Sequence, residues 1–506
     1  MSRIYIEKIL RARVYDVASE SPLEPAVRLS ARMGNRIMLK REDAQQVFSF
    51  KLRGAYNKIF SLPEEQRSVG VVAASAGNHA QGVALAGQRL GVHTTIVMPV
   101  TTPAIKVETV RRLGGKAVLH GDSYDDAFEH AMTLVKQRGL AFIHPFDDPD
   151  VIAGQGTVGM EILRQHADPI DAIFVPVGGG GLIAGVAAYV KHIRPETRII
   201  GVEPQDAPTL ERALAAGRRV VLPRVGLFAD GVAVRQIGKE TFRVARKTVD
   251  EVILVSTDEI CAAIKDVFDD TRSVAEPAGA LAIAGIKKYV AREGCKDQKL
   301  IGILSGANVN FDRLRHIAER AEVGEQREAL FAVQIPEKPG SFLAFCRALG
   351  KRSITEFNYR YSDKQEAQVF CGVELRNGAD EREDLKRSLA DKGFDIVDLT
   401  ENETAKLHIR YMVGGHAPQA VNEKLFRFEF PERPGALLDF LKGLTRGWNI
   451  SLFHYRNHGA AYGRVLVGVQ LDRKAVKDFR AYMESSGYTY TEETDNLAYR
   501  LFARGG

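Results

Sequence analysis

Cysteine is scarce: four in 506 residues, Cys261, Cys295, Cys346 and Cys371. None stands at metal-ligand spacing and no Cys-x-x-Cys occurs, so neither a metal site nor a dithiol redox motif is expected. So few cysteines suit reduced thiols in a reducing cytoplasm. A dominant charge is also lacking. Lysine and arginine number 70 against 64 acidic residues, a net charge of +6. No basic block stands out, so a nucleic-acid stripe is not expected. No run approaches the roughly 20 apolar residues of a membrane span. The opening segment MSRIYIEKILRARVYD holds no apolar stretch of signal-peptide length. The expectation is a cytoplasmic protein with no nucleic acid and no membrane among its partners.

What is present is ordinary globular composition, 45% hydrophobic and 26% charged. A chain of 506 residues is too long for one hydrophobic core, so two or three domains are expected. From about residue 50 to residue 310, short apolar runs alternate with helical periods. Strands are predicted over Val71–Ser75, Thr94–Pro99, Lys116–Gly121, Ala172–Val177, Arg198–Glu203 and Lys299–Ser305. Helices are predicted over Gly77–Leu90 and Ser123–Arg138. This alternation implies an α/β fold with a parallel-rich sheet and helices on both faces. Ligands in such folds bind where strand ends run into helices.

After about residue 320 the texture changes. HIAERAEVGEQREA is polar and reads as a linker. Beyond it lies an internal repeat. FAVQIPEKPGSFLAFCRALG from Phe331 matches FRFEFPERPGALLDFLKGLT from Phe426, and ITEFNYRY from Ile354 matches ISLFHYRN from Ile450. The offset grows by one between these segments, so one residue is inserted between helix and strand. Each copy reads as a βαββαβ unit of ferredoxin-like size. The expected division is 1–320 for the first domain, with a smaller lobe at about 50–155. A linker at 321–327 and repeat units at 328–403 and 424–500 follow.

Four motifs fall where chemistry is expected. Ser49-Phe50-Lys51-Leu52-Arg53-Gly54-Ala55 offers a lysine that forms a Schiff base if a partly buried pocket or cationic neighbours leave it deprotonated part of the time. A surface lysine at a helix start is the plain alternative. Ser75-Ala76-Gly77-Asn78-His79-Ala80-Gln81-Gly82 presents backbone N–H groups at a positive helix end, suited to a carboxylate. The alternative there is an N-cap made by Ser75. Gly178-Gly179-Gly180-Gly181-Leu182 follows a strand and enters a helix. Such a run is costly in chain entropy but lets backbone wrap an anion closely. It is neither the Walker pattern nor the spaced dinucleotide fingerprint, and a flexible loop is its alternative. Ser305-Gly306-Ala307-Asn308 ends a buried strand with a serine able to hydrogen-bond a heterocycle nitrogen, or simply to make a turn.

In this order the motifs resemble the fold-type II pyridoxal-phosphate (PLP) enzymes of the tryptophan synthase β family. With FADGVAV at Phe228, and with YIEKILRARVYDVA at the start and the doubled unit at the end, the chain resembles biosynthetic threonine dehydratases over nearly its whole length. The resemblance implies a two-lobed PLP catalytic domain followed by two ACT-like α+β regulatory units. It implies that Lys51 carries the cofactor and later serves as the base that removes the α-proton. It places Phe50 against the cofactor, Asn78 at the ring 3-hydroxyl, Gly178, Gly179, Gly180, Gly181 and Leu182 at the phosphate, and Ser305 at the pyridine nitrogen. Ser75, Gly77, Asn78 and His79 would receive the substrate carboxylate. The implied reaction is dehydration and deamination of L-threonine to 2-oxobutanoate and ammonia, the first committed step of isoleucine biosynthesis.

L-serine is an alternative substrate. Within the same fold, a serine dehydratase or racemase, cysteine synthase and threonine synthase are alternative activities. A non-catalytic amino-acid sensor is the alternative of another class. The resemblance further implies a homotetramer, inhibition by isoleucine and relief by valine. For the effectors, the matched strands offer Phe357, Tyr359 and Arg360 in one unit and Phe453, Tyr455 and Arg456 in the other. An arginine can receive a carboxylate and aromatic rings can line an aliphatic pocket. Simple packing between the units is the alternative for each of these residues.

Overall fold

The structure is a computed structural model. It describes residues 2–499 apart from 312, 339, 351, 362–365, 408, 413–416, 432–435, 444–447, 457–461, 473, 487 and 497–498. The chain divides into two compact units, Met1–Ala321 and Glu322–Gly506.

The first unit holds two sheets. The smaller runs in the order Lys116–Leu119, Thr94–Met98, Val71–Ala74, Ala141–Phe142, all parallel. The larger runs Leu23–Pro25, Arg36–Arg41, Lys299–Leu304, Ala172–Pro176, Arg198–Pro204, Glu251–Val255, parallel except for the first short strand. Val71–Ala74 and Ala172–Pro176 are buried at every position, as strands covered on both faces must be. The predicted strands and helices all form, with ends shifted by a residue or two.

The helices start where the sequence supplies caps. Ser123 and Asp126 form a capping box ahead of Tyr124–Arg138, and Ser256 and Glu259 form another ahead of Thr257–Thr271. Asp148 accepts from the N–H groups of Asp150 and Val151, with Pro149 in the first turn of Pro149–Gln165. Two of the helices approach closely because glycines face each other. A methyl group at Gly54 in Lys51–Ser61 would stand 2.8 Å from the Val151 carbonyl oxygen. One at Gly154 would stand 2.7 Å from the Gly54 Cα. This contact fixes the helix that begins with Lys51.

The polar stretch read as a linker is largely helical. A helix spans Arg313–Gly324 and a strand begins at Glu328. Ile317 and Ala321 are buried in the core under the larger sheet, and Arg320 pairs with Asp258 at 2.5 Å. Apart from the buried Arg320, the charged residues of this stretch that are helical lie outside the narrow apolar stripe of an amphipathic helix.

The second unit contains the two expected βαββαβ copies, joined in one antiparallel eight-stranded sheet. Its order is Asp395–Asp398, Glu328–Pro336, Glu366–Glu374, Ile354–Arg360, Asn449–Arg456, Tyr462–Gln470, Glu423–Pro431, Thr489–Glu492. The copies meet at Ile354–Arg360 and Asn449–Arg456, with Phe357 opposite Tyr455 and Tyr359 opposite Phe453. Both of these strands bulge at the same place, between Ile354 and Glu356 and between Ile450 and Leu452. All four cysteines are free thiols. Among the described residues no helix is long and apolar enough to cross a membrane, and no cluster of His, Cys, Asp or Glu could hold a metal.

Candidate active site and regulatory unit

Lys51 stands at the first turn of Lys51–Ser61, and the chain before it is tied to the end of the central strand Lys299–Leu304. The Phe50 N–H donates to the Ser305 carbonyl at 3.3 Å, the Ala307 N–H donates to the Phe48 carbonyl at 2.9 Å, and Ser49 bridges Gly306. Lys51 and Ser305 are thereby held in one frame. Both line a single cavity with Phe50, Asn78, Phe146, Pro176, Gly178 to Gly181, Leu182, Gly231, Val232, Glu276 and Ala278. Lys51 leaves part of its surface open to this cavity, yet its amine lies deep. The amine donates to the Pro145 carbonyl at 3.0 Å. Loss of hydration lowers its pKa to about 8, against an opposing pull from Glu276.

The four glycines form a turn that ends in the helix Gly181–Ile193, with Gly180 in the left-handed region at φ +90°. Other groups take the carbonyls of this turn. The Thr209 hydroxyl donates to Gly178 at 2.9 Å, the Thr241 hydroxyl to Gly179 at 2.7 Å, and the Gly238 N–H also to Gly179. The N–H groups are then what the turn can offer an anion. Side chains do not fit here. A methyl group at Gly179 would stand 2.2 Å from the Phe146 ring, and one at Gly178 2.8 Å from the Val232 Cα. A buried low-pKa amine, a glycine cradle at a helix start and the Ser305 hydroxyl match the aldehyde, phosphate and ring nitrogen of PLP. The residues fit the cofactor that the resemblance implies.

Asn78 is on the same wall. Its Nδ2 donates to Glu276 Oε1 at 2.6 Å, and its Oδ1 accepts from Asn308 Nδ2 at 2.6 Å. Asn308 also donates to the Val47 carbonyl at 2.9 Å. Ser75 does not cap the helix. Gly77 precedes Asn78–Leu90 without a side-chain cap, and the Ser75 hydroxyl accepts from the Gly77 N–H at 3.3 Å. Neither Ser75 nor Gly77 lies on the cavity wall described above.

The His79 ring turns away from the cavity. It is buried in the interior and donates from Nε2 to the Ile143 carbonyl at 2.8 Å. Burial lowers its pKa to about 3, so the ring is neutral. His144 is neutral too, lowered to about 4 by burial, and its Nδ1 accepts from the Phe146 and Asp147 N–H groups.

Sequence reasoning missed Glu276, Asn308 and Phe146. Glu276 is 4% exposed, and burial first, then the negative charge of Asp230, pushes its pKa up to about 7. Its signal was a glutamate directly before the proline that opens Pro277–Glu293, a run otherwise apolar for several turns. Asn308 stood inside a recognised motif without a role. Phe146 had no local signal at all.

In the regulatory unit the four candidate aromatic residues Phe357, Tyr359, Phe453 and Tyr455 are buried in one core. Phe357 meets Phe453 edge-on at 5.6 Å, and Phe342 lies within 6 Å of Phe357, Tyr359 and Phe453. The Tyr359 hydroxyl donates to Glu337 at 2.5 Å. Arg360 points to the other sheet face, where it grips the Glu423 carboxylate with two nitrogens and donates to the Ser451 carbonyl at 3.0 Å. Packing between the copies, the plainer reading, describes what these side chains do in this conformation. The Arg456 side chain lies outside the described residues.

The family described as pyridoxal-phosphate dependent enzyme matches residues 14–306, and the C-terminal regulatory domain of threonine dehydratase matches residues 319–409 and again 414–503. A biosynthetic L-threonine dehydratase of Burkholderia multivorans is 58% identical over 504 residues, covering 99% of each chain. Its Escherichia coli counterpart is 54% identical over 99% of this chain and 97% of its own. A solved structure, the processed form of threonine deaminase isoform 2 from Solanum lycopersicum, is similar over 63% of this chain and 93% of that chain. Its TM-score is 0.62 at 53% identity. The chain belongs to the biosynthetic threonine dehydratases, PLP-dependent ammonia-lyases of fold-type II whose catalytic domain is followed by two regulatory repeats.

Proposed function

We propose that this enzyme converts L-threonine to 2-oxobutanoate and ammonia with PLP carried on Lys51. The observation that carries this reading is one cavity lined together by a buried amine of pKa about 8, a glycine cradle at a helix start and Ser305. PLP supplies an electron sink for the substrate's α-carbon. The chain supplies the rest. Gly178 to Gly181 and Leu182 hold the phosphate, Phe50 lies against the ring, Asn78 meets the ring oxygen, and Ser305 faces the ring nitrogen. The backbone N–H groups at the start of Asn78–Leu90, with the Ser75, Gly77 and His79 segment, take the substrate carboxylate. Freed by the substrate amine, Lys51 is neutral for a useful fraction of the time near neutral pH and removes the α-proton. Having taken that proton, it is the only cationic side chain on the described wall and can return one to the departing β-hydroxyl.

The neutral Ser305 does not enforce a charge on the ring nitrogen, which favours prompt loss of a β-substituent over transamination. The C-terminal repeats confer regulation, with isoleucine as inhibitor and valine as its antagonist. The strands carrying Phe357, Tyr359, Arg360, Phe453, Tyr455 and Arg456 form the effector region. An effector carboxylate would compete with Glu423 for Arg360, and binding one conformation better than another would shift activity. The domain division at 1–320, 328–403 and 424–500, a homotetrameric assembly and a cytoplasmic location complete the proposal.

The deciding experiment measures 2-oxobutanoate from threonine and from serine, with and without isoleucine. Borohydride-treated protein is mapped by mass spectrometry in parallel. Threonine turnover, its suppression by isoleucine and a reduced cofactor on Lys51 are expected. A colourless protein without 2-oxobutanoate production would favour a non-catalytic sensor, and an adduct on another lysine would remove the basis of the mechanism.

A further inference from the structure

An asparagine amide presents a donor at one end and an acceptor at the other, and the two are similar in shape. Which end Asn78 turns to the cavity is fixed by a chain of partners that begins outside it. The Val47 carbonyl can only accept, so the group facing it at 2.9 Å is Asn308 Nδ2. The same Nδ2 donates its other hydrogen to Asn78 Oδ1 at 2.6 Å. The Asn78 Nδ2 is then left to donate, and one hydrogen goes to Glu276 Oε1 at 2.6 Å. Reversing Asn78 would put its Nδ2 against the donor of Asn308 at any pH, and its Oδ1 against the Glu276 carboxylate once that group is ionised. Asn308 cannot reverse to compensate without setting its own oxygen against the Val47 carbonyl.

Two rigid segments anchor the chain. Val47 lies just before the Phe48–Phe50 stretch that is tied to Ser305–Ala307. Glu276 is buried, and its backbone N–H donates to the Gly306 carbonyl at 3.1 Å. The charges that face Glu276 are Lys51, Asp230 and Lys106, and the last two pair with each other at 3.2 Å.

We propose that Asn308 and Glu276 are positioning residues that lock the Asn78 amide, so that Asn78 faces the cavity as a donor only. This rests on the proposal that Asn78 meets the ring oxygen of PLP. One Asn78 Nδ2 hydrogen is spent on Glu276, and the second remains for that oxygen. A donor stabilises the oxygen as an anion, and a hydrogen bond to a charged partner is among the stronger ones. The lock therefore holds down the pKa at which the visible absorption band of the holoenzyme titrates.

The test uses the full-length holoenzyme and follows that band against pH in wild type, Asn308→Leu and Asn308→Asp. Cofactor dissociation constants and thermal unfolding are measured alongside. Asn308→Leu frees the amide and is expected to raise the apparent pKa by about one unit, equivalent to about tenfold in the equilibrium. Asn308→Asp sets an acceptor against Asn78 Oδ1, drives the amide to reverse and is expected to raise it further. A role in folding alone would lower the unfolding temperature and leave the pKa of the folded fraction unchanged, so that pattern in either variant overturns the lock. Asn308→Asp is nearly identical to the native residue in shape, so it carries the test if Asn308→Leu fails to fold. A wild type that binds PLP on Lys51 but shows no shift in the variants overturns this inference alone. A wild type that develops no band on adding PLP overturns the cofactor reading together with it.

Discussion

Ionisation of Glu276 is expensive where it stands. Burial removes water from the carboxyl, Asp230 adds a repelling charge, and the Asn78 hydrogen bond returns only part of the loss. Its pKa in the folded chain is about 7, against an ordinary 4.5. A carboxyl with a raised pKa contributes fully to stability only below its unfolded value, and that contribution disappears as pH climbs through the folded value. Cofactor-free wild type should therefore lose stability relative to Glu276→Gln as pH rises from 4.5 through 7. Urea unfolding at a series of pH values reads this directly, and a stability difference flat across that window would show that Glu276 ionises freely in the fold.

At this scale the sequence was uneven. Lys51, Asn78, the glycine run and Ser305 stood in motifs at helix starts and strand ends, but it was the resemblance of the four motifs together that implied their roles; the structure brings them to one cavity. Glu276 and Phe146 come from distant segments and reach the cavity only after folding. The orientation of the His79 ring was not legible, because a helix start shows which backbone N–H groups are free but not which way a side chain turns.

Among elements, the segment bearing Lys51 is held by a buried charge cluster. Arg53 pairs with Glu42 at 2.8 Å and with Glu161 at 2.6 Å, and Lys40 pairs with Glu161 at 2.7 Å. All four side chains are fully shielded from solvent, so two cations balance two anions. The cluster joins three elements: the helix Lys51–Ser61, the helix Pro149–Gln165 and the strand Arg36–Arg41 with the turn after it. Such a cluster adds little net stability over an apolar equivalent, but removing one member strands its partners. Arg53→Met leaves Glu42 without its salt-bridge partner and Glu161 with Lys40 alone. The expected cost is about 3–5 kcal/mol, read as a lowered denaturant midpoint. A change under about 1 kcal/mol would mean that the carboxylates protonate at little cost. Elements were the best-read level of the sequence, because buried parallel strands and capped helices announce themselves in short windows. The exception was Arg313–Gly324, whose charged face outweighed its narrow buried stripe.

Over the whole molecule, the repeat explains why the regulatory sequence is doubled. One βαββαβ copy alone would leave the strand Ile354–Arg360 or Asn449–Arg456 as an open edge, which is a site for unwanted pairing. In the eight-stranded sheet each copy covers that edge of the other. The antiparallel register sets Asn358 opposite its counterpart His454 and crosses the flanking aromatics, Phe357 with Tyr455 and Tyr359 with Phe453. The inserted residue that shifts the repeat offset lies before these strands, so it leaves this register intact. The position of a cut between the two units then follows from burial. Ending the chain at Glu325 keeps the helix Arg313–Gly324 whole, with Ile317 and Ala321 in the catalytic core and Arg320 on Asp258. That truncation should turn over threonine within about threefold of the full chain, a change of less than 1 kcal/mol in the barrier, and ignore isoleucine. Ending it before Arg313 uncovers that core and should lower the unfolding temperature by several degrees. Initial-rate assays across an isoleucine titration, run on both truncations, separate the outcomes. Inhibition that survives in the longer one would place the effector site in the catalytic unit and remove the regulatory role from the repeats.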